Sequence, residues 1–436
     1  MSNTLAILGG PKSVTVKEPG AFAWPRFDKE EFESVRRVMT MPDYSFYEEA
    51  YLLERDIKDF FGVGYALPQI NGTAAIHSAL FAIGIKPGDE VIVPSFTYWA
   101  SVMPVLSCNG MPVFAESDPE TLNIDPKSIE KLITPKTKAI VVVHLCGLPC
   151  EMDEIMALAR RHNIKVVEDC AHCHDAEYKG RKVSTIGDIG CFSYQATKLM
   201  PGIEGGMMVT NNREYYERAV ALGHYERLPG LGQGSPYTKY RHTCFGYKYR
   251  IHPLSAAILR IQIKKYERLN RQRDENLEYL NNELGKTTGL ETIKTPSEVK
   301  RNYYCYRLKY KPEELGGLEI GKFIAALQAE GLEVGKERYV LMHQQPVFNE
   351  DNTGFPWTAK NKIIPEPVRL PATEKLYGQL ISLPTFPQAS KELVKQYIEG
   401  FRKVSANAHL LEGIEAGQIA GTPDMDWSKM QMPKIR

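Results

Sequence analysis

The residue in this chain best suited to covalent chemistry is a lysine with mostly uncharged neighbours. Lys198 lies in the run CFSYQATKLMPGIEGGM, between an apolar segment and a glycine-rich turn. Removal of water favours the neutral form of a lysine amine, and a neutral amine can attack a carbonyl group to form an imine. An ordinary surface lysine beside a turn is the alternative, and this feature alone does not decide between them.

A carboxylate falls at the end of another apolar run, in the segment VVEDCAH. Asp169 at a buried strand end is costly unless a cation or a hydrogen-bond donor pairs with it. The protonated pyridine nitrogen of pyridoxal 5′-phosphate (PLP) is such a partner, because a nearby carboxylate keeps that nitrogen protonated and the ring electron-accepting. His172 could lie near the same ring or its 3′-oxygen. An Asp that caps the following turn explains the position equally well.

Two further segments fit the phosphate and the ring of such a cofactor. Gly72 and Thr73 lie in INGTAA, a predicted strand–turn–helix junction, and N–H groups at a helix N-terminus bind anions. Tyr98 follows the next predicted strand and could stack on a flat ring. Separately, a helix N-cap and a core aromatic are the commoner explanations. The joint order favours a PLP enzyme in which Lys198 carries the cofactor as a Schiff base and moves protons.

The elements that must position these residues follow an α/β pattern. From about residue 66 to 225, short apolar runs such as VIVP, KAIVVVHL and KVVEDC alternate with helical segments, which predicts a mostly parallel sheet. Residues 252–285 are typical of one long helix. We therefore predict a large PLP-binding domain at 1–255 that includes the N-terminal segment, a linking helix at 256–285, a smaller C-terminal α+β domain at 286–412 and a tail at 413–436.

The composition argues against several classes of partner. The formal net charge is +1, from 54 basic and 53 acidic residues, so nothing indicates a nucleic acid or a membrane surface. No apolar run approaches the roughly 20 residues that span a bilayer, and the first residues lack the pattern of a signal peptide. We expect a cytoplasmic protein whose eight cysteines are reduced.

The cysteines and histidines between residues 144 and 174 raise the question of a metal site. Cys170 and Cys173 form a single Cys-x-x-Cys pair, and no second pair has zinc-binding spacing. Core packing explains buried cysteines better, and no Cys/His/Asn pattern indicates a catalytic thiol. We therefore predict no metal.

As a set, these segments are similar to the DegT/DnrJ/EryC1/StrS family of sugar and cyclitol aminotransferases. The resemblance covers roughly residues 5–405 and rests on NGTAAIHSAL, PGDEVIVPSFTYWAS, TLNIDP, TKAIVVVHLCG, VVEDCAH, IGDIGCFSYQATKLMPGIEGGMMVT, YRIHPLSAAI and SLPTFP. Within the family, the chain looks most like scyllo-inosose aminotransferases and aminohydroxybenzoate synthases. The resemblance implies the PLP fold-type-I architecture and a homodimer. It also implies ping-pong transfer of an amino group from glutamate or glutamine to a keto-sugar or keto-cyclitol.

The resemblance also implies roles for single residues. Lys198 would form the Schiff base, Asp169 would pair with the pyridine nitrogen, and Tyr98 would align with the aromatic that stacks on the ring. His172 would take the place where the family has Gln or His near the ring. Glu204 falls in the Glu-Gly-Gly turn after the lysine.

The phosphate would be bound by Gly72, Thr73 and Ser193, and the chain departs from the family close to this group. Lys248 stands where the family often has an Asn that reaches the phosphate of the neighbouring subunit, and it could act there as a cation. Ile203 replaces the first glycine of Gly-Glu-Gly-Gly. The segment MPDYSFY at 41–47 replaces a glycine-rich stretch near the substrate mouth, so the substrate could differ from that of better-known members.

Two alternatives to aminotransfer remain open from the sequence. One is another PLP chemistry, such as a sugar dehydratase, a deaminase or another lyase, although dehydratases resembling this group have a histidine in place of the lysine. The other is a non-catalytic sensor on the same fold, which the intact Asp169 and Lys198 disfavour. Tyr44, Tyr47, Arg227, Tyr339 and His343 are candidates to line the substrate site.

Overall fold

The large sheet of this protein is built from short apolar runs rich in β-branched residues. The computed structural model describes residues 4–42, 48–350 and 367–413. Val and Ile dominate the central strands because branched side chains pack well on a pleated sheet that helices cover on both faces. The first nine strands are β1 (Tyr65–Gln69), β2 (Glu90–Pro94), β3 (Met111–Ala115), β4 (Thr137–Val143), β5 (Lys165–Asp169), β6 (Glu177–Tyr178), β7 (Arg181–Lys182), β8 (Ile189–Ser193) and β9 (Gly206–Thr210).

Seven of these strands form one sheet in the order β1-β9-β8-β5-β4-β2-β3. The pairs from β8 to β3 are all parallel, and only β9 runs antiparallel to its two neighbours. The predicted mostly parallel sheet is therefore confirmed. Because parallel strands end at one edge, the loops after β2, β5 and β8 meet there, and this is where ligands bind in open α/β sheets.

Helices cover the sheet and connect its strands. The helix α3 begins directly after β1, with Asn71 as its N-cap and a left-handed Gly84 at its end. The helices are α1 (Lys29–Met39), α2 (Glu48–Phe61), α3 (Gly72–Ile83), α4 (Met103–Ser107), α5 (Pro126–Leu132), α6 (Met152–His162), α7 (Arg213–Gly223), α8 (Pro253–Leu284), α9 (Ile320–Ala329), α10 (Pro346–Asn349), α11 (Pro371–Gly378) and α12 (Lys391–Ala406).

The long helix α8 leads from the large sheet to a second, smaller unit. That unit holds a four-stranded antiparallel sheet in the order β10-β12-β14-β13, with α9 and α12 packed on it. Its strands are β10 (Leu290–Thr292), β12 (Tyr306–Tyr310), β13 (Gly335–Lys336) and β14 (Leu380–Leu383), while β11 (Val299–Lys300) pairs with β6 of the first unit. The architecture agrees with the expected α/β large unit and a smaller C-terminal α+β unit.

The first residues belong by contact to the smaller unit, although the sequence grouped them with the large domain. Leu5 and Ala21 are buried in the core of the C-terminal unit. Glu330 accepts hydrogen bonds from the backbone of Ala6 and Ser13. The exact domain boundaries stay a prediction, and most of the predicted tail lies outside the described residues.

The cysteines depart from the expectation of eight reduced thiols. Cys146 and Cys305 form a disulfide across a sequence separation of 159 residues, and the other six cysteines are free and buried. The sequence offers no sign of this pair, because the two residues meet only when the smaller unit packs on the large one. Within the described residues, none of the helices has the length and apolarity needed to cross a membrane.

Candidate active site

Lys198 lies in the loop between β8 and β9, at the edge of the sheet where the parallel strands end. Its Nζ donates a hydrogen bond to the hydroxyl of Tyr304 at 3.2 Å and lies 4.3 Å from the centroid of that ring. The indole of Trp24 donates to the Lys198 carbonyl at 2.8 Å, which fixes the backbone of the loop. The half-buried amine is therefore held by neighbours while one side stays accessible.

Asp169 is the last residue of β5, and its side chain is buried. Its Oδ2 accepts a hydrogen bond from Ser101 Oγ at 2.7 Å, and its Oδ1 accepts from the N–H of Ala171 at 3.0 Å. Burial raises the pKa of Asp169, and the bonds from Ser101 and Ala171 and the positive charge of Lys198 only partly oppose this. A cation placed against this carboxylate would therefore be strongly favoured.

His172 is buried three residues after Asp169, between two tyrosine rings. It stacks on Tyr304 with centroids 4.1 Å apart and on Tyr339 with centroids 5.9 Å apart. Its Nε2 lies 3.2 Å from the Tyr339 hydroxyl, and its buried Nδ1 has no hydrogen-bond partner among the described residues. Burial, followed by the charge of Lys198, holds the pKa of His172 well below its usual value, so the ring is neutral.

Tyr98 extends this aromatic row to the outer rim of the site. Its side chain is exposed, 5.1 Å from the Trp99 ring and 6.0 Å from the Tyr339 ring. The row Tyr98, Tyr339, His172 and Tyr304 therefore leads from the surface to Lys198. Two of the predicted site residues, Tyr98 and His172, are joined by a side chain that the sequence offered only as a candidate lining residue.

The predicted anion turn lies where α3 begins beside the end of β8. A Cβ on Gly72 would come within 2.8 Å of Ser193 Cβ, so the two predicted phosphate residues are packed against each other. Asn71 caps the helix by accepting from the N–H of Ala74 at 2.8 Å. The N–H groups of Gly72 and Thr73 belong to the first turn, where a helix has no internal acceptors, so they can bind an anion.

The departures from the family pattern have different structural outcomes. Ile203 adopts φ 68°, a left-handed conformation that strains a β-branched residue and explains why glycine is usual there. Lys248 is exposed, and its neighbour Tyr249 accepts a hydrogen bond from the N–H of Ile70 at 2.7 Å, close to the anion turn. Of the segment at 41–47, residues 43–47 lie outside the described residues, as do the candidates Tyr44 and Tyr47.

Two other candidate lining residues are engaged elsewhere. Arg227 is buried and forms an ion pair with Glu54. His343 is buried, with Ser95 Oγ at 2.6 Å from Nδ1 and Glu374 at 3.1 Å from Nε2. Both satisfied side chains are better explained as structural, so their assignment to the substrate site is wrong as a reading of this structure.

Tyr304 and Ser101 are the site residues that sequence reasoning missed. Tyr304 arrives from the C-terminal unit, in the segment RNYYCY, which carries no recognisable chemical motif. Ser101 follows Tyr98 by three residues in the loop after β2, and only the fold directs its hydroxyl to Asp169. Neither residue could be found without knowing which loops share the sheet edge.

A buried cluster beneath the site resembles a metal-binding group but is already satisfied by hydrogen bonds. The ligand atoms of His144, Glu168 and Cys170 lie within 4.8 Å of one another. His144 Nε2 is 3.1 Å from Glu168, and its Nδ1 accepts from the N–H of Cys150. Glu168 also accepts three backbone N–H bonds, from Ser184, Ile186 and Gly187. These bonds explain the cluster without an ion.

The arrangement at the sheet edge fits PLP by the chemistry of its donors. A buried carboxylate whose pKa is raised suits a protonated pyridine nitrogen, and the first turn of α3 suits a phosphate. The amine of Lys198 suits the aldehyde. The buried and unpaired Nδ1 of His172 leaves a polar atom available for a ligand.

Comparison with known proteins agrees with this geometry. The model of the DegT/DnrJ/EryC1/StrS aminotransferase family matches residues 25–402. An L-glutamine:2-deoxy-scyllo-inosose aminotransferase from Streptomyces kanamyceticus is 33% identical over 372 residues, which cover 80% of this chain and 84% of the relative.

Two solved structures resemble the whole chain. An aminotransferase from Psychrobacter cryohalolentis superposes with a TM-score of 0.79 at 30% identity, covering 89% of this chain and 99% of the other. The 3-amino-5-hydroxybenzoic acid synthase superposes with a TM-score of 0.74 at 25% identity, covering 88% and 98%.

Proposed function

The chain belongs to the DegT/DnrJ/EryC1/StrS aminotransferase family and is a PLP-dependent aminotransferase, and we propose that it transfers an amino group from glutamine or glutamate to a keto-cyclitol or keto-sugar. One observation carries the assignment of the site. Asp169 and Lys198, 29 positions apart, lie close enough at one sheet edge for the charge of Lys198 to act on the buried carboxylate. The substrate class is supported by the glutamine:scyllo-inosose aminotransferase that the chain resembles.

Lys198 would hold PLP covalently and serve as the base in both halves of the reaction. When bound, PLP supplies an electron-accepting ring that stabilises negative charge at the substrate carbon. The amine of Lys198 would take a proton from that carbon and return one to the cofactor side. The hydrogen bond to Tyr304 and the bond from Trp24 to the Lys198 backbone would hold the amine in place for these transfers.

Asp169 and His172 would keep the cofactor ring in its reactive state. The Asp169 carboxylate, fixed by Ser101 and Ala171, would hold a proton on the pyridine nitrogen. His172 would press against the ring as a neutral imidazole, because burial disfavours its charged form. Gly72, Thr73 and Ser193 would bind the phosphate, and Tyr98 would flank the ring from the rim.

The assembly and the location of the protein are separate proposals. A homodimer is proposed on the family resemblance, and exposed large side chains near the site, Tyr98, Trp99 and Tyr247, support it because they offer apolar surface to a partner. Lys248, exposed on the same stretch as Tyr247, would then reach the phosphate of the second subunit. A cytoplasmic location stays a prediction, and the Cys146–Cys305 disulfide weighs against it.

The transfer is tested with glutamine labelled with ¹⁵N at its α-amino group. The PLP-loaded protein is incubated with the labelled donor and a panel of free cyclitol ketones, nucleotide-linked keto-sugars and phosphorylated keto-sugars. Mass spectrometry should show a ¹⁵N-labelled amine on one panel member, formed in step with the keto acid of the donor. Lys198→Ala should show neither product, whereas Lys138→Ala, which changes an exposed lysine on β4, should behave as the parent protein.

The outcomes separate the alternative chemistries. Consumption of a panel member without a labelled amine would indicate elimination or deamination instead of transfer. PLP binding without any turnover, on the whole panel and with both donors, would support a sensor. Full activity of Lys198→Ala would overturn the site assignment itself.

A further inference from the structure

Tyr304 has the closest polar contact with the presumed reactive amine that the described residues provide. Its hydroxyl lies 3.2 Å from Lys198 Nζ and 3.2 Å from Thr197 Oγ1. Its ring stacks on His172, with centroids 4.1 Å apart and planes 24° apart. The phenol therefore joins the lysine to the imidazole at the floor of the site.

The position of Tyr304 is fixed by contacts on both sides of it in the chain. Asn302 donates from its backbone to Gly147 O at 3.1 Å and from Nδ2 to His172 O at 3.1 Å. Cys305, the next residue, is joined to Cys146 by the disulfide. These bonds fasten the segment from the C-terminal unit to the loop after β4, so the phenol is built into the site.

The electrostatic surroundings favour exchange of a proton between the phenol and the lysine. Burial acts to raise the pKa of Tyr304, but the charge of Lys198 and the hydrogen bonds with Thr197 and Lys198 bring it below its usual value. The other titratable groups that act on the phenol or face it are Tyr339 and His172 beside its ring, and Arg273 and Arg307 from α8 and β12. Three of the surrounding groups are cationic and favour the phenolate.

We propose that Tyr304 is a catalytic residue that accepts a proton from the Lys198 ammonium and returns it, so that Lys198 is a neutral amine when it must act as a base. The exchange breaks an N–H bond on Lys198 Nζ and forms an O–H bond on Tyr304 Oη, and the reverse step restores both. No co-reactant is needed, because ammonium and phenolate become amine and phenol. This inference rests on the proposed role of Lys198.

The substitution Tyr304→Phe tests this step, because it removes the hydroxyl and keeps the ring that stacks on His172. Tyr303→Phe is the matched control, since Tyr303 is buried in the core of the C-terminal unit, where its ring lies 6.3 Å from that of Tyr306. We expect Tyr304→Phe to lower kcat by about 100-fold, within the range usual for proton-transfer groups, with donor KM and PLP content unchanged. Tyr303→Phe should keep the parent kcat.

A second measurement uses the protein without PLP and does not depend on turnover. The tyrosinate absorbance of each protein is followed during an alkaline titration, and the variant is subtracted from the parent. The difference for Tyr304→Phe should titrate below the ordinary tyrosine value of about 10. Combining each protein with Lys198→Met should move that step to higher pH, because the neighbouring positive charge is gone.

A third measurement covers the case in which the phenylalanine variant folds poorly. A fluorinated tyrosine at position 304 keeps the shape of the ring and makes the phenol more acidic. The pH at which kcat rises should then fall relative to the parent protein, and an unmoved profile would contradict the proposal.

The remaining outcomes also decide the matter. The inference is overturned if Tyr304→Phe keeps kcat within twofold of an active parent, or loses PLP, since the second result indicates a structural role. It is likewise overturned if the tyrosinate difference appears at an ordinary pH. If the parent protein itself neither binds PLP nor turns over, the proposed function fails, and the inference fails with it for that separate reason.

Discussion

Ser101 Oγ donates a hydrogen bond of 2.7 Å to Asp169 Oδ2 and is itself 2.9 Å from Thr97 Oγ1. The loop after β2 thus fixes the carboxylate that ends β5, although the two residues are 68 positions apart. A carboxylate held in this way has one defined orientation, and it can face a cofactor nitrogen without rearranging.

Replacement of this carboxylate should separate its charge from its shape. We expect Asp169→Asn to lower kcat by at least about 100-fold, close to 2.7 kcal/mol, because an amide cannot hold a proton on the pyridine nitrogen. Ser101→Ala should cost only about fivefold, the worth of one hydrogen bond of about 1 kcal/mol. Steady-state kinetics with PLP content measured in parallel would check both, and an Asn variant as active as the parent would exclude the pairing.

Close packing at the anion turn predicts a cost in cofactor affinity. A methyl group on Gly72 would come within 2.8 Å of Ser193 Cβ, so Gly72→Ala should push the turn from β8 and weaken PLP binding by about tenfold, near 1.4 kcal/mol. Gly64→Ala is the control, since its methyl group would meet Asn211 Oδ1 at an ordinary 3.5 Å. Equilibrium titration with PLP measures both, and equal affinities would show that the phosphate binds elsewhere.

The left-handed conformation of Ile203 predicts a gain in stability on substitution. Ile203 has φ 68° and an exposed side chain, so Ile203→Gly removes strain and little packing. After the entropy that glycine adds to the unfolded chain, we expect the free energy of unfolding to rise by about 0.5–1 kcal/mol. Ile203→Ala, which keeps a Cβ, should gain much less. Denaturant unfolding tests the pair, and a destabilised glycine variant would mean that the side chain is needed.

The disulfide predicts a defined thiol count. Under denaturing conditions without reductant, six thiols should react and not eight, with all eight free after reduction. Cys305→Ser should lower the free energy of unfolding by about 2–4 kcal/mol, because the bond constrains a long loop in the unfolded chain. Cys244→Ser changes a free buried cysteine and should leave the count of reactive thiols lower by one. A parent protein with eight reactive thiols would show that the pair stays reduced in solution.

The residues that could be predicted from the sequence are those whose chemical signal is local. Asp169, His172 and Lys198 stand next to apolar runs that end at the sheet edge, so their sequence neighbours already carry the information. The mostly parallel sheet was predictable for the same reason, because doubly covered strands read as continuous apolar runs.

The residues that could not be predicted depend on contacts between distant segments. Tyr304 and Cys305 meet the site only because β11 pairs with β6 and the C-terminal unit packs on the loop after β4. The candidates Arg227 and His343 were chosen by residue type, and the structure satisfies them with Glu54 and Glu374 instead. Residue type alone does not distinguish a buried ion pair from a substrate ligand.

The most direct test of the central claim is the absorption spectrum of the PLP-loaded protein before and after glutamine or glutamate is added. The account predicts a band near the visible edge that moves to shorter wavelength with donor, and Lys198→Ala should lack that initial band. A band in the parent protein that ignores both donors, or an unaltered response in Lys198→Ala, would contradict it.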